Sequence, residues 1–142
     1  MRLAILKILI LLIVLNRSTL LFSQSDFKIM EIKYFNFSME TDAKIECSLF
    51  EYAGDFKVVQ YNDSAKIVEF INKTKTLKKD TIEYYQPDVR AKIILQTKSG
   101  KTDIICISNF GICYNNTPML MKYKYLDYIK SLIKARDKEF EF

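Results

Sequence analysis

Histidine and tryptophan are absent from the 142-residue chain, glycine occurs three times and proline twice. The missing histidine removes the usual general base near neutral pH and the commonest metal ligand. It excludes Ser–His–Asp and Cys–His catalysis outright, along with the histidine-containing zinc sites. Scarce glycine and proline beside 49% hydrophobic content argue against low complexity and long disorder. Cysteine is also sparse, with only Cys47, Cys106 and Cys113. No motif of catalysis, cofactor binding or metal ligation stands out. The acids Glu31, Glu40, Asp42, Glu46, Glu51, Asp55, Glu69, Glu83 and Asp103 are scattered. They read as solvated strand edges rather than as an acid/base pair.

What is present begins with the N-terminus. Arg2 and Lys7 give a positive start, and Ile8 to Leu15 is an unbroken apolar run extended by Leu20-Leu21-Phe22. Ser23-Gln24-Ser25 then offers small residues for a cut before Asp26. This order is that of a cleavable secretory signal over residues 1–25, which places the product outside the cytoplasm, secreted or periplasmic. The alternative is a retained N-terminal anchor. A spanning helix needs about 20 mainly apolar residues, and Asn16-Arg17-Ser18-Thr19 breaks the run too early. The first cysteine, Cys47, is far from the run, so a lipidated anchor has no acceptor.

Export changes the charge argument. The whole chain carries 22 Lys+Arg against 17 Asp+Glu, a net +5. Without Arg2, Lys7 and Arg17 the basic residues fall from 22 to 19 against the same 17 acids, a net of +2. Much of the apparent basicity thus belongs to the signal, and a nucleic-acid partner, which calls for basic residues gathered on one face, is not expected.

Residues 26–142 suit one domain with a single core. Phe27 to Phe37 has strand composition, with a slip in alternation near Ile29-Met30 that suggests a bulge. Ile45, Cys47 and Leu49 alternate with Glu46 and Ser48 as in a half-buried strand, and Phe56 and Val58 continue the pattern in a third. Asn62-Asp63-Ser64 offers helix caps, before a stripe of Ile67, Phe70, Ile71 and Thr74. Strand signals resume over 89–95, 103–107 and 112–114, with turns at Ser99-Gly100, Asn109-Phe110-Gly111 and Asn115 to Pro118. A last helix carries Leu126, Ile129, Leu132 and Ile133, and Lys138 to Phe142 reads as a frayed tail. The fold class expected is α+β: an antiparallel sheet of about six strands in the order βββα-βββα, two helices on one face and the other face open to water. Ile45, Cys47, Leu49, Val58, Ile67, Ile71, Ile93, Leu95, Ile105, Ile129 and Ile133 are the expected core.

Cys106 and Cys113 flank a turn. If Asn109-Phe110 is a two-residue loop, 108 pairs with 111 and 106 with 113, within disulfide reach; a three-residue loop breaks that register. The competing reading makes all three cysteines small buried hydrophobes. The odd count leaves at least one unpaired thiol in a monomer.

Nine tyrosines and ten phenylalanines supply contact candidates. Tyr84-Tyr85 and Lys122-Tyr123 combine apolar bodies with polar tips, as interfaces favour, although the same residues also serve to close a core edge. The functional expectation is an exported, non-enzymatic binding protein of the inhibitor or immunity kind, partnered by a protein or envelope component and touching membrane only through an uncleaved signal. One alternative is a histidine-free envelope enzyme using carboxylates or lysine. The other is a polyanion or envelope binder working through Lys78-Lys79 and Lys122 to Lys130.

Overall fold

The computed structural model describes residues 26–81 and 88–141. Six strands form one antiparallel sheet: β1 (Phe27–Tyr34), β2 (Lys57–Tyr61), β3 (Ala91–Thr97), β4 (Thr102–Ile107), β5 (Ile112–Tyr114) and β6 (Thr117–Met119). Their spatial order is β2-β1-β3-β4-β5-β6. Helices α1 (Ser64–Thr74) and α2 (Tyr123–Arg136) complete the expected α+β pattern. The distribution differs from two equal halves. Among the described residues two strands precede α1 and four lie between α1 and α2, and a 3-10 helix, Cys47–Tyr52, stands where a strand was expected at 45–49.

Both helices cover one face. Met30, Ile32 and Tyr34 of β1, Val59 and Tyr61 of β2, Ala91, Ile93 and Leu95 of β3, and Ile105 and Ile107 of β4 form that face. Ile67 and Phe70 of α1 and Leu126, Ile129, Leu132 and Ile133 of α2 close over it. Asp63 caps α1, its carboxylate accepting from the Ala65 amide at 2.9 Å. Ile71 is half-buried at the edge of the stripe.

Three expectations about the core are corrected. Val58 is 48% exposed while Val59 is buried, because β1 pairs Ile32 with Val59 and Met30 with Tyr61, so the inward phase of β1 is imposed on β2. Leu49 is 53% exposed. Three residues per turn in a 3-10 helix set Cys47 and Phe50 on one side, and Leu49 turns away. The C-terminal tail docks instead of fraying. Phe140 is buried, edge-on to Tyr34 at 5.4 Å and to Phe37 at 6.0 Å.

Local signals place the remaining strands. The register of β1 against β3 shifts between Phe27 and Ile29, just before the slip anticipated near Ile29-Met30. Asn115 and Asn116 both adopt positive φ, 45° and 63°, the two-residue turn that suits a tight hairpin. That hairpin adds β6, where only a turn was expected. Pro118 is tolerated because β6 is the last strand of the sheet, adjoined on its outer side only by an isolated bridge between Lys79 and Met119 among the described residues. Among the described residues no helix is long and apolar enough to cross a membrane.

Candidate binding surface

The second face of the sheet is half covered, by the chain between β1 and β2. This segment is fastened covalently. Cys47 on the 3-10 helix bonds Cys106 on β4, with Cα atoms 5.8 Å apart, and Cys113 is free. The expected register is present, since Cys106 lies directly opposite Cys113 and the Ser108 amide donates to the Gly111 carbonyl at 2.9 Å. Neither sequence reading holds: the alternative of a Cys106–Cys113 bond and that of three unbonded cysteines both give way to Cys47–Cys106. By alternation 106/113 is a hydrogen-bonded pair, within disulfide reach, but Cys106 can form one disulfide only, and the segment held by the Val89–Ile45 backbone bond brings Cys47 to it. Cys47 instead reaches Cys106 from above the face. Burial pushes the Cys113 thiol up, which lowers its thiolate fraction.

Beneath the segment lies a separate apolar cluster of Phe35, Ile45, Phe50, Val89 and Cys106. Phe50 is fully buried, with ring centroids 4.9 Å from Phe35 and 5.7 Å from Phe56. Backbone and charge bind the segment further. The Val89 amide donates to the Ile45 carbonyl, and the Ile45 amide donates to Asp88 Oδ1, both at 2.9 Å. Buried Arg90 donates to Asp88 Oδ2 at 2.6 Å and to Thr41 Oγ1 at 3.3 Å.

Glu51 answers an electrostatic problem set by the sheet. Lys33 and Lys92 are cross-strand partners on this face, and like charges directly opposite one another repel. Lys92 is buried. The Glu51 carboxylate accepts from Lys92 Nζ at 2.9 Å and from Lys33 Nζ at 3.4 Å, and Glu31 lies 3.5 Å from Lys33. Burial works to raise the Glu51 carboxyl, but the hydrogen bond and charge of Lys92, a backbone hydrogen bond and the hydrogen bond from Lys33 outweigh it and hold it below the ordinary glutamate range. A depressed carboxyl stabilises the fold above its unfolded-state value and loses that contribution as pH falls through the folded-state value. Glu51→Gln is therefore expected to cost about 1–3 kcal/mol near neutral pH, the scale of a lost charged hydrogen bond, and to flatten the acid limb of stability. Denaturant titrations across the acid range check both; an unaltered acid limb would show that Glu51 does not couple the segment to the sheet.

The outer surface of this fixed segment exposes apolar side chains among charged ones. Met39, Leu49 and Tyr52, with Ala43 and Ala53, edge an open groove of about 520 Å³, and Tyr52 is 85% exposed. Glu40, Asp42 and Glu46 border it against the one base Lys44. The β4–β5 turn lies at the same end of the sheet. It is tied to the segment by Asn109 Nδ2 donating to the Phe37 carbonyl at 2.9 Å, and it exposes Phe110.

The contact residues expected from sequence fall elsewhere. Tyr84 and Tyr85 lie outside the described residues. Lys122 and Tyr123 stand at the start of α2, both exposed, with Lys122 Nζ donating to the Thr76 carbonyl at 2.8 Å. Met39, Leu49 and Tyr52 are not singled out as contacts by the sequence, and a strand at 45–49 would turn Leu49 inward. The available signal was the three-residue spacing of Cys47 and Phe50. Among the described residues no three His, Cys, Asp or Glu side chains gather as metal ligands. In comparisons with protein-family models, curated proteins and solved structures, nothing matches this chain.

Proposed function

We propose that this is an exported binding protein, not an enzyme, which engages a polypeptide partner through the groove edged by Met39, Leu49 and Tyr52. The observation that carries the reading is that a disulfide, a buried aromatic anchor and an ion network all fix a segment whose outer side chains face water. Holding exposed apolar side chains in place reduces the ordering cost of association. An aromatic with a polar tip is the residue type enriched at interface centres. The acidic border favours a partner segment that carries basic residues beside its apolar ones. The disulfide fits a secreted or periplasmic location, because such bonds persist in oxidising compartments.

The experiment is capture from the native envelope or culture fraction by the tagged protein, compared with the Leu49→Ala/Tyr52→Ala variant. Partner recovery is expected to fall about tenfold or more, the scale of losing interface anchors. The thermal midpoint should barely move, because exposed substitutions usually change stability by less than about 0.5 kcal/mol. Undiminished capture by the double variant would place the interface elsewhere. The intact mass of the same exported protein reports whether it begins at Asp26. Recovery of all 142 residues in the membrane would favour the anchored alternative.

One observation favours a polyanion as a second reading. The Leu120 amide donates to the Lys78 carbonyl and the Asp80 amide to the Pro118 carbonyl, which brings Lys78-Lys79 alongside the segment leading to Lys122. Capture that survives Leu49→Ala/Tyr52→Ala but falls steeply with salt would support that reading, since phosphate or sulfate contacts are screened.

A further inference from the structure

We propose that a pocket at the open end of the helix-covered face binds a small amphipathic amine, with the Asp103 carboxylate as its counterion. The proposal is independent of the groove on the opposite face.

The phase of β4 points to this site. Asp103, Ile105 and Ile107 share one side of the strand, and Ile105 and Ile107 are buried in the main core. Asp103 thus occupies a core-facing position, directly opposite Leu95 of β3, which is also buried. A charge on the inward phase is costly unless it is paired or hydrogen-bonded. The fold supplies two donors: Tyr114 Oη donates to Asp103 Oδ2 at 2.7 Å, and Asn115 Nδ2 donates to Oδ1 at 2.9 Å. Asn115 is itself held, its side-chain oxygen accepting from the Ile104 amide at 2.8 Å and its own amide donating to the Ile104 carbonyl at 2.8 Å. The positive φ of the hairpin turn puts it there. Burial and the neighbouring carboxylate push the Tyr114 hydroxyl up to about 12, so it remains a donor throughout the physiological range.

The carboxylate is therefore oriented by two neutral donors. A carboxylate offers about four acceptor sites, so each oxygen retains capacity for a further donor. Most of the remaining wall is apolar: Phe27, Ile71, Leu77, Leu95 and Met119 line, with Asp103, Tyr114, Thr74 and Lys75, a pocket of about 350 Å³. That lies within the usual size range for small-molecule sites, which pair apolar walls with a few placed polar groups. Charge decides the ligand class. An anion would meet Asp103 at close range in partly desolvated surroundings, whereas a protonated amine gains a charge-assisted hydrogen bond there. Lys75, the other charged residue at the pocket, is exposed at the C-terminal end of α1. Its long stem leaves the ammonium free to stay in water.

The test titrates the purified protein with three probes of one chain length, octylammonium, octanol and octanoate, by calorimetry and by methyl NMR of Leu95, Ile71 and Met119. Octylammonium is expected to bind saturably, about tenfold or more tighter than octanol, as a charge-assisted bond would give, and octanoate weakest. Shifts should centre on those three residues. Asp103→Asn keeps the acceptor for Tyr114 while removing the charge, so it should bring octylammonium down to the octanol level and leave octanol unchanged. The proposal is overturned if the wild-type protein fails to saturate with octylammonium, if octanoate binds as well, or if the shifted methyls lie elsewhere. Because these outcomes are read on the wild-type protein, they stand even if Asp103→Asn folds poorly.

Discussion

Removing the Cys47–Cys106 bond is expected to cost about 4 kcal/mol, within the usual range of about 2–5 kcal/mol for a native disulfide. The bond closes a loop of sequence separation 59, and the entropy that such a loop removes from the unfolded chain grows with its length. The right variant is Cys47→Ala/Cys106→Ala. Cys47→Ala alone would leave Cys106 directly opposite the Cys113 thiol and invite the alternative bond. Cys113→Ala serves as the control, because it preserves the bond and removes one sulfur from a half-buried site. Denaturant midpoints of the three proteins decide the energetics. Peptide mapping under non-reducing conditions decides the connectivity, with Cys113 as the alkylated residue. A Cys106–Cys113 peptide in the wild-type protein would overturn the placement of the 3-10 helix on the sheet.

The same three cysteines show what sequence could and could not fix. The two-residue turn at Asn109-Phe110 set the β4–β5 register, and with it the position of Cys106 opposite Cys113. Local spacing fixes local pairing, because a hairpin's turn length leaves its strands one register. It says nothing about a partner 59 residues away. Both helices, the cap at Asp63 and the bulge near Phe27 were legible for the same reason: each is written in neighbouring residues. The phase of β2 was not. Phe56 and Val58 do share a face, as their alternation indicates, but it is the outer one, chosen by how β1 pairs. The strand expected at 45–49 failed where a period of two and a period of three both fit a short stretch containing Ile45, Cys47 and Phe50. The tail went unread because Phe140 is buried by contacts with Tyr34 and Phe37, over a hundred residues away in sequence.

The open platform expected on the second face was half right, and the missing half is the candidate site. A sheet with helices on one side leaves its other side to be wetted or covered. Here Lys33 and Lys92 on that side demand a counterion, Phe35 demands apolar cover, and the intervening chain supplies Glu51 and Phe50 in adjacent positions. Burying Phe50 and directing Glu51 back at the lysines leaves Leu49 and Tyr52 facing outwards. Their exposure thus follows from the way the segment is anchored, which also gives them a fixed geometry.

Phe50→Ala is expected to cost about 3–5 kcal/mol, the range for emptying a fully buried phenylalanine site. The neighbouring Leu49→Ala should cost less than about 0.5 kcal/mol, because Leu49 is more than half exposed. The contrast between consecutive residues is the test of the 3-10 helix, since a strand at 45–49 would place Leu49 with Cys47 and bury it. The loss at Phe50 should also be local in character. Its ring packs in a cluster separate from the main core that Ile93 and Ile129 share with the helices. With the disulfide intact, the segment stays tethered at Cys47 after Phe50 is truncated, so hydrogen exchange should accelerate at Ile45 to Tyr52 far more than at β3. Combining Phe50→Ala with loss of the disulfide should produce a smaller total than the sum of the two, because either change alone already releases part of the same segment. Additive losses would mean that anchor and staple act on different parts of the molecule, contrary to the shared segment seen in the fold. Similar costs for Phe50→Ala and Leu49→Ala would remove the case for a rigid, outward-facing Leu49 and Tyr52.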